Sequence, residues 1–182
     1  MVNRIAAIVG MAGAGKSEVA SFLTSRGMHY IHFGDITQEE LRSRGLPVNE
    51  ANERLVREKM RAIHGMAAYA VLNIGRIEDA LKSGNVVVDG LYSWEEYLTL
   101  DERFGERLVI VAVTASPATR QRRLAARRVR PLSAEEVASR DRAEIEKLNK
   151  GGPIAMADIT LVNEGSVEEL LRQAERVAET MR

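Results

Sequence analysis

One segment constrains this chain more than any other. An apolar run, Arg4 to Val9, ends in Gly10-Met11-Ala12-Gly13-Ala14-Gly15-Lys16-Ser17, and a helical pattern begins at once. An apolar run bounded by glycines suits a parallel strand buried on both faces. The eight residues fit G-x-x-x-x-G-K-[ST], and the flanking strand and helix are the context in which that pattern has meaning. Gly10, Gly13 and Gly15 let the main chain approach an anion with no Cβ in the way. Their N–H groups, with the positive end of the next helix, make an anion nest. Lys16 adds a point charge for β- and γ-phosphates, and Ser17 offers a hydroxyl to Mg²⁺. The contact run is Gly10, Met11, Ala12, Gly13, Ala14, Gly15, Lys16, Ser17 and Glu18. This reads as a nucleoside-triphosphate site, with ATP and Mg²⁺ as the implied cofactors.

The remaining pattern alternates strands with helices. Short strands are expected at 28–33, 85–88, 108–113 and 159–162. Helices are expected at 16–25, 35–43, 94–103, 117–128, from Ser133, and at 166–181, with 49–82 helical and bent at Gly65. Alternation of this kind predicts an α/β fold: a three-layer α/β/α domain around a five-stranded parallel sheet. At 182 residues the chain makes one domain, with the Arg-rich span 120–153 as a movable flap.

Composition excludes several classes. Cysteine is absent, which removes disulfides, thiolate metal sites and cysteine nucleophiles. Twenty-six Lys+Arg balance 26 Asp+Glu, so no global field draws the chain onto nucleic acid or an anionic membrane. No apolar run reaches the roughly 18–20 residues that span a bilayer. The first ten residues lack the long apolar stretch of a signal peptide, so a soluble cytoplasmic protein is expected. The three histidines have no metal-ligand spacing.

Other candidates follow from position. Asp89 ends the third strand and is read as the second Mg²⁺ ligand, directly or through water. Asp35 ends the second strand, where it can cap a helix and accept a proton from an attacking hydroxyl. Arg120, Arg122, Arg123, Arg127, Arg128 and Arg130 form a run that no acid interrupts. Arg123 and Arg127 then share a helix face, and two or three of the six are expected on phosphates. Trp94 is read as core and Tyr92 as lining an acceptor pocket.

The glycine loop, Gly34-Asp35, Asp89-Gly90, the RRLAARR run from Arg122 to Arg128 and the segment Ala157 to Ser166 occur in this order. Together they resemble the P-loop nucleoside and nucleotide kinases, in particular the dephospho-CoA-kinase-like and adenylate-kinase-like group. The resemblance implies an acceptor-binding helical segment at about 35–82 and a lid at about 127–153. It implies Arg123 against the adenine, Arg127 or Arg128 on the phosphates, and Asn163, Glu164, Gly165 and Ser166 bordering the base. Lys16, Asp35, Arg127 and Arg128 become the candidate catalytic groups, and Arg140 and Arg142 candidates to meet the transferred group.

The chain departs from similar monophosphate kinases at Gln38 and Tyr92, where they carry arginines for the acceptor's phosphate; Arg42, Arg44, Arg57 and Arg61 are possible substitutes. The expected activity is Mg-ATP-dependent phosphotransfer to a small nucleotide or nucleotide-like acceptor, such as a nucleoside monophosphate or a dephospho-CoA-like molecule. The alternatives are a nucleotide-dependent regulatory ATPase with no small acceptor and a nucleic-acid module, which the charge balance disfavours.

Overall fold

In each strand, successive side chains leave on opposite faces, and both faces of this sheet are apolar. The computed structural model describes residues 2–128 and 131–182. Its five strands are β1 (Ile5–Val9), β2 (His29–His32), β3 (Val86–Asp89), β4 (Leu108–Thr114) and β5 (Ile159–Val162). They lie in the order β2-β3-β1-β4-β5, and every pairing is parallel. The register sets Ile8 opposite Asp89, and His32 opposite Asp89 from the other side.

The core divides as the pleat dictates. Ile5, Ala7, Val9, Val86, Val88, Ile110 and Ala112 enter one buried cluster; Ala6, Ile8, Val87, Val109, Val111 and Val113 enter the other. The first cluster is covered by α4 (Ala68–Ala80) and α5 (Trp94–Phe104), which supply Tyr69, Ile77, Tyr97 and Leu100. The second is covered by α1 (Lys16–Ser25) and α9 (Val167–Thr180), which supply Val19, Leu23, Leu170 and Val177. Each such leucine or isoleucine contributes on the order of 1.5–3 kcal/mol by leaving water.

Helix boundaries follow side-chain chemistry. Ser93, Ser133 and Ser166 each cap a helix in a reciprocal box with Glu96, Glu136 and Glu169; the second opens α7 (Ala134–Glu146). Asn49 caps α3 (Glu50–His64), which stops at Gly65 with φ 75°, so the expected bend is a break between two helices. α2 is Asp35–Ser43, and the short α8 is Gly151–Ala155.

One boundary corrects the sequence reading. α6 (Pro117–Ala125) ends three residues short of Arg128, so Arg127 shares no helix face with Arg123. Leu132 folds back to pack with Leu124 and Val137, and its N–H donates to the Leu124 carbonyl. Arg130, named in the arginine run, lies outside the described residues. Among the described residues, no helix is long and apolar enough to cross a membrane.

Candidate functional site

The carboxyl ends of all five strands share one edge of the sheet, and every candidate from the strand ends gathers there. The glycine loop leaves β1 at its centre. Gly10 has φ 150°, and a Cβ on it would fall 2.2 Å from the Val113 carbonyl oxygen. Gly15 has φ 104°, and a Cβ there would fall 2.3 Å from Asn163 Nδ2. That same amide donates to the Ala14 carbonyl at 2.8 Å. The loop is thus pressed between the ends of β4 and β5 along a path only glycine can follow at these two points. The N–H groups of Lys16 and Ser17 have no intrahelical acceptor, while those of Glu18 and Val19 turn back to the Gly15 carbonyl, so the free donors at the positive end of α1 are the first two.

Lys16 Nζ curls onto its own loop, donating to the carbonyls of Gly10 (2.8 Å) and Met11 (3.2 Å). Burial lowers its pKa to about 8, with the Lys150 ammonium as the next cause. Ser17 and Glu18 are exposed in the first turn of α1.

Asp89 is 8% exposed, and the hydrogen bond it accepts from Tyr30 Oη is a long 3.3 Å. Burial and then the Asp89 charge push the Tyr30 hydroxyl up to about 12. Among the described residues, no three His, Cys, Asp or Glu side chains are placed to hold a metal ion. The residues fit Mg²⁺ of a different kind. Such an ion keeps waters and phosphate oxygens and needs only one or two protein oxygens. Asp89, whose carboxylate has lone pairs to spare, and the exposed Ser17 hydroxyl are suited to that.

Asp35 opens α2 from the end of β2, its side chain half exposed, and Oδ1 lies 3.0 Å from His32 Nδ1. Gln38 donates to Glu53 at 3.0 Å. Of the four arginines named as substitutes, Arg44 is paired with Glu40, and Arg57 with Glu50 and Glu53. Arg42 is exposed on the last turn of α2. Arg61 differs: its Nε is buried with no partner, and its guanidinium lies 5.8 Å from the centre of the Tyr69 ring.

Arg123 donates to the Asn163 carbonyl (2.9 Å), to Asn163 Oδ1 (3.1 Å) and to the Gly165 carbonyl (3.3 Å). Its hydrogen-bonding edge is spent on that turn. Ser166 uses its hydroxyl as the α9 cap, and Glu164 accepts from Ser116 and Thr119 at the start of α6. Arg127 and Arg128 are exposed beyond the end of α6, with no ion pair among the described residues. Arg120 is 4% exposed, forked onto Asp141 of α7 at 2.8 and 2.7 Å, and also donates to the Ala12 and Ala115 carbonyls. It ties α7 to the glycine loop and is not free for phosphate. Arg142 is exposed and lies 3.9 Å from Glu146. Trp94 packs on the core, stacked on Tyr97 with ring centres 5.0 Å apart.

Three buried groups escaped the sequence reading. Lys150 is 1% exposed and pairs with Glu144 at 2.7 Å, and Arg140 reaches the same carboxylate at 3.1 Å. The Lys150 ammonium also lies 5.0 Å from the centre of the Tyr92 ring. Glu96 is fully buried; burial raises its pKa to about 7 against the pull of the Tyr92 N–H and the Arg61 charge. No local motif marks Lys150 or Glu144. Glu96 had a readable signal as the fourth residue of Ser93-Trp94-Glu95-Glu96, but only as a helix cap.

A family model described as an AAA domain matches residues 7–148. A UPF0200 protein of Thermococcus gammatolerans is 37% identical over 179 residues, covering 96% of this chain and 94% of its own. Among solved structures, TT1252 from Thermus thermophilus superposes over the whole of both chains with TM-score 0.69 and 24% identity. A shikimate kinase from Bacteroides thetaiotaomicron superposes with TM-score 0.61 and 15% identity, covering 97% of each chain. The fold is therefore that of the P-loop kinases, with the glycine loop at its centre. The chain belongs to the AAA-domain family whose model spans most of its length, together with the UPF0200 proteins that match it nearly end to end.

Proposed function

We propose that the protein is a Mg-ATP-dependent phosphotransferase acting on a small nucleotide or nucleotide-like acceptor. The observation that carries this reading is the glycine loop with Lys16 curled onto the Gly10 and Met11 carbonyls and Asp89 on the neighbouring strand. A triphosphate tail gives Lys16 stronger partners than two carbonyl oxygens. The loop amides and the start of α1 hold the β- and γ-phosphates. Ser17 and Asp89 hold Mg²⁺, which supplies charge neutralisation at the transferred group. The flat face of Arg123, whose edge is fixed by Asn163 and Gly165, supports the adenine.

Asp35 lies two strands from the loop along the same edge, with His32 fixing its carboxylate. In the proposed reaction an acceptor oxygen attacks the γ-phosphorus and the bond to the β,γ-bridging oxygen breaks. ADP leaves, and where the acceptor oxygen is a hydroxyl its proton passes to Asp35. Arg127 and Arg128, exposed at the mouth of the lid, meet the equatorial phosphate oxygens on closure.

The family's description as an AAA domain favours a second reading, a regulatory ATPase with no small acceptor. A coupled ATP-consumption screen separates the two. Its acceptors are ribo- and deoxynucleoside monophosphates, nucleosides and dephospho-CoA. Turnover that rises with one acceptor supports the kinase. Steady hydrolysis that no acceptor accelerates supports the regulator, and no consumption at all removes both.

A further inference from the structure

A trans peptide unit points its carbonyl and the next N–H in opposite directions. Whatever holds a loop carbonyl on one side therefore aims the following amide to the other. In the glycine loop two carbonyls are held in this way, by side chains from distant stretches of the chain. Arg120 Nη1 donates to the Ala12 carbonyl at 3.3 Å, and Asn163 Nδ2 to the Ala14 carbonyl at 2.8 Å. The amides that follow belong to Gly13 and Gly15, with φ 79° and 104°. Neither N–H donates to an acceptor among the described residues. Main-chain amides left free in such a turn form an anion nest.

Both braces are themselves anchored. Arg120 is buried with its fork closed on Asp141 of α7, and its Nε donates to the Ala115 carbonyl. A Cβ on Gly13 would fall 3.0 Å from the Arg120 carbonyl oxygen, so the start of α6 also presses on the loop directly. An apolar contact runs beside the polar one: Ala12 shares a buried cluster with Leu124 of α6 and Val137 of α7. Val137 and Asp141 are four residues apart, so one face of α7 serves the loop twice. Asn163 is buried and spends both ends of its side chain, because its Oδ1 accepts from Arg123 at 3.1 Å. One chain of contacts thus leads from the Gly13 amide to α7, and another from the Gly15 amide to the turn after β5.

We propose that Arg120 and Asn163 are positioning residues for phosphate binding: Arg120 aims the Gly13 amide and Asn163 aims the Gly15 amide. Asp141 acts one step further out, by holding the Arg120 fork. The side chains of all three act on the nucleotide through the loop, without taking a phosphate oxygen themselves. The inference rests on the phosphotransferase reading and deepens it, because it makes nucleotide affinity depend on how α7 is seated. By the reciprocity of linked equilibria, a bound nucleotide then steadies α7 in return.

Backbone amide spectra and calorimetry on the full chain test this together, with magnesium and a non-hydrolysable ATP analogue as the ligand and a thermal melt for every variant. Arg120→Met removes the first brace. Asn163→Asp removes only the donor to Ala14, because a carboxylate still accepts from Arg123. In the ligand-free protein Arg120→Met is expected to move the Gly13 amide and leave that of Gly15 in place, and Asn163→Asp to do the reverse. Each is expected to bind the analogue about tenfold more weakly than wild type. Arg120→Lys, which keeps a donor for Ala12, is expected to recover most of that affinity. If Arg120→Met fails to fold, Asp141→Asn reads the same brace: it loosens the fork, moves the Gly13 amide and weakens binding. A merely structural role lowers the melting temperature and shifts both amides or neither. The proposal is overturned by folded variants that bind the analogue as tightly as wild type, or by amides that do not move in this crossed pattern. If the wild-type protein binds no analogue, the phosphotransferase reading falls instead, and the crossed shifts in the ligand-free protein still decide whether the braces aim the two amides.

Discussion

The glycine loop and the region proposed to receive the acceptor are built by different means. The loop is a main-chain device. Its eight consecutive residues take their path from glycine geometry at Gly10 and Gly15, and Asn163 and Arg120 brace its carbonyls at Ala14 and Ala12. The proposed acceptor region is a side-chain device. Lys150 meets Tyr92, Gln38 meets Glu53, and Arg61 lies over Tyr69, in each case across distant stretches of sequence. A loop fixed by its own backbone and two braces tolerates change elsewhere around it. A cleft held by paired charges is retuned by single substitutions, which is how one fold accommodates different acceptors.

The largest effect that sharpens this contrast is expected at Lys16. Lys16→Ala should lower turnover by about a thousandfold or more while leaving the melting curve intact, because the ammonium stabilises phosphate charge and contributes nothing to the core. Coupled kinetics alongside a thermal melt checks both halves. Asp35→Asn comes next. With a hydroxyl acceptor, kcat should fall about a hundredfold or more as the proton acceptor is lost. With a phosphate acceptor the loss should stay within a few-fold, so the size of the change reports the acceptor's chemistry.

Gly15→Ala attacks the main-chain device directly. At φ 104° and 2.3 Å from Asn163 Nδ2, the added methyl should cost about 1–3 kcal/mol in denaturant unfolding and weaken ATP binding in step. An unchanged unfolding midpoint would contradict the claim that backbone geometry sets the loop.

The smallest effect is a pH dependence from the side-chain region. Glu96 titrates at about 7 in the folded protein against an ordinary value of 4.5. Between those values the folded state keeps a proton that the unfolded chain has released. Stability from this group is therefore lost as pH rises from 4.5 to 7. Glu96→Gln, which can still accept the Tyr92 N–H, should flatten that part of the Tm-against-pH profile.

How much was legible in the sequence follows from the same division. The strand at 108–113 stood out because buried parallel strands are continuous apolar runs. The boxes at Ser133 and Ser166 are local spacings that fix helix starts. The end of α6 was misplaced because Leu132 decides it, through a contact with Leu124 that no helix propensity encodes. The Asp89 placement needed only the sheet order. Lys150 and Glu144 were invisible because their partners are set by how α7 returns to the sheet edge, and neither spacing nor residue type announces that. Arg120 shows the converse error: a residue in a basic run can be a buried brace.

The central claim is that the amides of residues 10–17 grip a triphosphate. Backbone amide spectra recorded during titration with ATP and magnesium test it most directly. The account predicts that the largest shifts fall on Gly13, Gly15, Lys16 and Ser17, saturate together, and vanish in Lys16→Ala. Saturable binding that shifts amides elsewhere and leaves these four in place would contradict it.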